Sequence, residues 1–292
     1  MRYIHIEKLI FQHQKHIKKG EKMLNRTLKA SIGVILLSGA VYANDETPKN
    51  WWQKGSYAYK ETDKILTHIE GTISYRETSG NDEDKTLKTS ILGKIRKGHL
   101  GASLSYSKID EEKKQFNDKA DKTPSETKKD YYKTTFIVGY DINKDFFVNA
   151  GYDNSRNTAF EIYNQTTQYI GVGYRILTLD AHRLNIFVAK GTDEISFGTY
   201  PQLPSGKTNG VYYQTDYSWI INPKVSLNLN YAYLKADMNN RDNSLLTAKV
   251  TASMFEHISL VIGYSDEYMK AQETVDRYTN DKTVFTAVKF EF

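Results

Sequence analysis

Seven histidines, no cysteine and a few runs of acids bound the catalytic chemistry open to this chain. Without cysteine there is no disulfide, no thiolate nucleophile and no thiolate metal ligand. The sharpest nucleophile pattern is His257-Ile258-Ser259. A base and a hydroxyl two residues apart on a strand fall on one side, as hydrolysis by an activated serine requires. Yet the pair follows directly on the tight joint Phe255-Glu256-His257, with no carboxamide nearby in sequence to orient the histidine. It reads as a turn histidine next to an inward serine. Asp82, Glu83 and Asp84 would suit peptide hydrolysis only with a histidine at the same rim. None of His68, His99, His182 and His257 falls in a matching loop, so the acids read as a solvated turn or at most a weak cation site. Gly171 and Gly173 lack the helix that a phosphate cradle needs and read as close packing or strand curvature. No catalytic residue, metal ligand or cofactor is expected.

The elements that hold these residues alternate with period two. In VSLNLNYAYLK (225–235), Val225, Leu227, Leu229, Tyr231 and Tyr233 share one face, opposite Ser226, Asn228, Asn230 and Ala232. The run from Gln168 sets Ile170, Val172, Tyr174 and Ile176 against Tyr169, Gly171, Gly173 and Arg175. About twelve such runs are found, near 65–76, 84–97, 99–109, 130–141, 145–156, 165–177, 182–192, 208–221, 224–236, 243–254, 257–269 and 280–292. A composition of 22 Tyr and 12 Phe against 5 Pro suits strands, and leaves few prolines for the turns of a soluble sandwich.

Joints alternate in length. RKGH, INKD, TLDAH, INPK and FEH are tight, whereas TSGNDED, the stretch from Asp110 to Asp130 and the other joints are long and polar. Short turns on one side and long loops on the other are the habit of an outer-membrane barrel. The expected fold is therefore all-β, a transmembrane antiparallel up-and-down β-barrel of about twelve strands over residues 65–292. Its apolar faces meet lipid, which cannot satisfy an open sheet edge, so the sheet must close. Phe292, Phe290, Val288, Thr286 and Val284 would face lipid, and Glu291 and Lys289 the interior.

The interior is mixed in charge. Alternation points Glu70, Lys88, Lys94, Arg96, Asp153, Arg175, Asp216, Lys249, Lys289 and Glu291 inward. Opposite charges bridged across the bore, for instance Arg96 to Asp216, would plug it. Unbridged, they would line a narrow channel for small polar solutes or ions.

Residues 23–43 show a basic start at Arg26 and Lys29, an apolar run from Ser31 to Leu37, and a small-residue cleavage site ending at Ala43. This is a secretory signal peptide, too short in its apolar run to anchor the chain. Residues 1–22 form a basic extension before it, and 44–64 a polar periplasmic segment carrying Trp51 and Trp52. Of 40 basic and 35 acidic side chains, 8 and 2 fall in residues 1–43, which leaves 32 against 33 and a net charge of −1. A nucleic-acid partner has no support from such a balance.

From about Ile69 the chain resembles the YdiY-like salt-induced outer-membrane proteins of Gram-negative bacteria. The likeness rests on EGTISYRETSGNDEDKTLKTSILGKI, DFFVNAGYDNSR and QYIGVGYRILTLDAHRLNI. It implies a cell outer membrane location and an envelope-stress or osmotic-response role, but no agreed activity and no functional residues. The Lys-rich stretch from Asp110 departs from the compact family pattern. The closing Phe290 and Phe292 also resemble the signal read by the outer-membrane assembly machinery. Together these features describe a monomer whose partners are membrane lipid, lipopolysaccharide and that machinery. The function expected is a structural or stress-response barrel with a narrow polar lumen. The alternatives are a channel for small polar solutes and, less favoured, a phospholipase-like barrel hydrolase.

Overall fold

A computed structural model describes residues 65–78, 82–115, 125–158, 162–179, 181–197, 206–237, 241–270 and 278–292. The readings of residues 1–22, 23–43 and 44–64 lie outside the described residues. Twelve strands follow one another: β1 (Leu66–Thr78), β2 (Asp82–Lys97), β3 (Leu100–Gln115), β4 (Ser125–Asp141), β5 (Phe146–Asn157), β6 (Ile162–Thr178), β7 (His182–Phe197), β8 (Gly206–Asn222), β9 (Val225–Ala236), β10 (Arg241–Phe255), β11 (Ile258–Lys270) and β12 (Tyr278–Glu291). Each pairs antiparallel with its neighbours in the chain, and β12 returns to β1 to close the barrel.

The two faces of this sheet meet different solvents. Ile170, Val172 and Val284 on the outside are 62%, 60% and 66% exposed, whereas Arg183, Asp193 and Lys289 on the inside are 7%, 0% and 9% exposed. An apolar exterior around a polar interior is the inverse of a water-soluble protein and suits a bilayer. Outward aromatics lie toward both strand ends. Phe146 packs on Tyr174 at 4.9 Å beside the tight turns, and Tyr213 on Tyr233 at 6.1 Å toward the other end.

The tight turns have local causes. Gly98 takes a φ of 54°, a left-handed conformation that a side chain disfavours. The Asn143 side-chain oxygen accepts from the backbone N–H groups of Asp145 and Phe146, and that of Asn222 from the N–H of Lys224.

The far ends differ from the sequence reading. The charged stretch from Asp110 is not wholly a loop: β3 continues to Gln115, and β4 already begins at Ser125. Glu112 stands in register with Lys85 on one side and Lys128 on the other. Opposite charges across strands support a ladder without any apolar face, which alternation of hydrophobicity cannot register.

Pairing is least extensive where the barrel closes. Between β1 and β12 the register runs only from Glu70↔Glu291 to Ile73↔Val288, continued below by reciprocal backbone bonds between Ile69 and Phe292 of 2.9 and 2.8 Å. Above it, the Ser74 hydroxyl donates to the Thr286 carbonyl at 2.6 Å.

Candidate functional site

Among the described residues, side chains facing inward line three cavities. The first, about 490 Å³, is bounded by β1, β2 and β7–β12. Lys88, Lys94, Arg183, Lys249 and Lys289 line it, with Glu70 and Asp216 as its carboxylates. Hydroxyl and amide groups of Ser90, Ser218, Asn228, Asn230 and Thr251 fill the spaces between the charges. A second cavity of about 350 Å³, on the β2–β8 side, shares Lys94, Asn185 and Asp216 with the first. The third, about 120 Å³, holds Lys133, Asp153 and Glu267 and shares no lining residue with the first.

Six of the ten interior residues read from the sequence line the first cavity: Glu70, Lys88, Lys94, Asp216, Lys249 and Lys289. Arg96 and Arg175 line the second and Asp153 the third. Glu291 lines none of the three, but takes the Lys289 ammonium at 2.8 Å. Lys289 also lies 3.9 Å from Glu70, whose carboxylate is 3.8 Å from His68 Nε2. His68, Glu70 and Glu291 bring potential ligand atoms within 4.8 Å of one another. Lys289 already supplies the positive charge that these carboxylates call for.

The expected plug does not form as drawn. Arg96 does not meet Asp216; its carboxylate partner is Asp141, which also accepts from Arg175. Asp141 thus ties β2 to β6 across the end of β4. Arg175 further donates to the Lys144 carbonyl at 3.2 Å and lies over the Phe147 ring at 4.7 Å. Asp216 accepts instead from Asn230 and from Gln214. A carboxylate at the last residue of a strand carries no alternation signal of its own, so Asp141 passed unnoticed.

A second group missed in the sequence is aromatic. Phe147 stacks with Phe187 at 6.1 Å, and Tyr169 with Tyr212 at 4.9 Å, on the inner side of β5–β8. Glycines make room for these rings. Phe147 stands in register with Gly173, and Tyr169 with Gly151, and a methyl group at either glycine would enter the opposing ring. On β11 and β12, Gly263 and Phe285 repeat the arrangement. The sequence signal was an inward aromatic facing an inward glycine on the next strand. It answers the question set by Gly171 and Gly173: both are close-packing positions, and a side chain at Gly171 would meet the backbone of Val188 and Ala189.

His257 and Ser259 do not come together. Ser259 is buried and faces inward. His257 belongs to the turn, stacks on Phe292 at 5.3 Å, and its Nδ1 lies 2.9 Å from the Glu291 carbonyl. The register shift at this joint, between Ser253 and Phe255, lies on β10 and leaves the pairing of Ile258 and Ser259 with β12 regular, so His257 departs as a turn residue. His99 and His182 behave alike, packing against Tyr140 and Trp219 respectively. The side chains of Asp82, Glu83 and Asp84 lie outside the described residues.

The fold and its lining define an outer-membrane-type β-barrel with a polar lumen. The chain belongs to the family described as protein of unknown function, DUF481, whose sequence pattern matches residues 71–292, in keeping with the resemblance read from its strands. No curated protein matches it. Among solved structures it is similar to the KdgM porin, at 9% identity over 78% of this chain and 99% of that one, with a TM-score of 0.42. The NanC porin is similar at 10% identity over 77% and 98%, with a TM-score of 0.41. The translocator domain of autotransporter NalP from Neisseria meningitidis is similar at 10% identity over 77% and 87%, with a TM-score of 0.43. These likenesses concern the fold alone.

Proposed function

We propose that the chain is a monomeric barrel of the cell outer membrane whose narrow lumen passes small polar solutes. The observation that carries this reading is the pair of abutting cavities, about 490 and 350 Å³, lined by charged and hydroxylated side chains. A barrel kept only as scaffold has no need of lysines around interior space, since each costs desolvation that apolar filling would avoid. Twelve strands enclose a bore between packed small barrels and open porins. In this reading residues 23–43 direct export, lipid and lipopolysaccharide surround the outer face, and Phe290 and Phe292 present the closing strand to the assembly machinery.

A structural barrel is the second reading. The aromatic wall and the Asp141 bridge favour it, since both narrow the bore. Planar-bilayer recording on the refolded barrel separates the two. Discrete conductance steps are expected, and a silent bilayer containing heat-modifiable, correctly folded protein would remove the channel.

A further inference from the structure

The first cavity is unbalanced in charge. Five cationic side chains face it against two carboxylates; Lys289 is also paired with Glu291, which lies off the lining, and Glu70 lies near Lys289 as well. Asp216 is occupied by the amides of Asn230 and Gln214. Among the described residues, Lys88, Lys94 and Lys249 have no carboxylate at ion-pair distance. The Lys88 ammonium sits over the Phe285 ring at 4.9 Å, a contact that does not neutralise it, and the Glu267 carboxylate acts on it from beyond ion-pair distance.

These lysines are not a solvated run on one strand. Lys88 and Lys94 come from β2 and Lys249 from β10, and Lys289 on β12 and Arg183 on β7 face the same space, so positive charge reaches it from several directions. Walls of low dielectric focus such a field and raise the local concentration of counter-ions. Ser90, Ser218, Asn228, Asn230 and Thr251 stand between the cations, offering donors and acceptors that a bare inorganic anion would not need. A volume of about 490 Å³ falls within the usual range for small-molecule sites, ~300–1,000 Å³.

We propose that this cavity binds small hydroxylated organic anions, with Lys88 and Lys249, which meet at the height of Phe285, holding the carboxylate and the hydroxyl and amide side chains taking up the rest. The site gives the channel its substrate class, and in that sense rests on the channel reading. As a binding site it can be tested without transport.

The test is calorimetric titration of the full barrel in detergent micelles with three sugars of similar size: glucuronate, glucose and glucosamine. Glucuronate is expected to bind saturably, and glucose about tenfold more weakly, the loss that follows from removing one charge-assisted contact. The double variant Lys88→Gln/Lys249→Gln should bring glucuronate down to the level of glucose, with its unboiled gel mobility unchanged. If that variant fails to fold, Lys249→Gln alone should weaken glucuronate binding severalfold. Absence of glucuronate binding, glucosamine binding as tight as glucuronate, or undiminished glucuronate binding in the folded variant overturns the assignment. Glucuronate binding by a barrel that conducts nothing upholds the site and sinks the channel.

Discussion

The two walls of this lumen are built on opposite rules. On β5–β8 the interior is packed: Phe147, Tyr169, Phe187 and Tyr212 stack on one another, and glycines recess the backbone beneath Phe147 and Tyr169. On β1, β2 and β9–β12 it is wet: lysines, asparagines and hydroxyls border open space. Both walls have the same strand geometry and the same apolar outside. The difference lies entirely in alternate residues, so one sheet can use one arc of its circumference for rigidity and the other for contact with solutes. Removing a side chain should therefore cost folding energy on the packed arc and little on the wet one.

The largest loss is expected at the lower edge of the packed arc. Asp141, 6% exposed, holds both Arg96 and Arg175, which are 14% and 10% exposed. Asp141→Asn keeps the size but leaves two guanidinium groups without their carboxylate. Breaking a buried pair by removing one partner costs about 4 kcal/mol. Urea titration, with the folded fraction read from the mobility of unboiled samples, should show that loss. An unchanged midpoint would mean that lumen water already compensates both arginines.

Within the arc, Phe187→Ala is expected to cost about 3 kcal/mol, through lost burial and the cavity it leaves. On the wet arc, Lys249→Ala should stay within about 0.5 kcal/mol of wild type, as surface replacements do. Equal effects of the two replacements in the same urea series would abolish the distinction between the walls.

This contrast also explains what could be read in advance. Strand positions were legible because lipid outside and polar interior inside impose one period along every run, and turns such as RKGH and INPK mark the tight ends. The outer ends were legible only in part. There β3 and β4 extend as a charged ladder, with Lys85, Glu112 and Lys128 in register, and carry no apolar alternation. Alternation also tells which way Lys94 or Asp216 points, but not at what height it sits or which side chain it meets. The partner of Arg96 depends on how far β4 is displaced along β2 through β3, and register is a property of the sheet rather than of any one strand. The aromatic wall escaped notice for the same reason, since Tyr169 and Gly151 become a pair only once β5 and β6 are aligned.

The smallest effect is expected at the seam, where the wet arc closes on itself. Backbone pairing between β1 and β12 stops at Ile73↔Val288, and the next link is the Ser74 hydroxyl bonded to the Thr286 carbonyl. Ser74 is 8% exposed and borders the large cavity, beneath the Lys88 ammonium on the Phe285 ring. Ser74→Ala removes one hydrogen bond and leaves a carbonyl to find another donor, a cost of about 1 kcal/mol. Lumen water can supply that donor on the inner side of the sheet, whereas lipid on the outer side cannot. The size of the loss therefore reports which solvent reaches the seam. A value near zero places water at Thr286 and makes the seam part of the wet arc. A loss well above about 1 kcal/mol means that the carbonyl is left facing acyl chains, and that the hydroxyl of Ser74 is what keeps the sheet closed there.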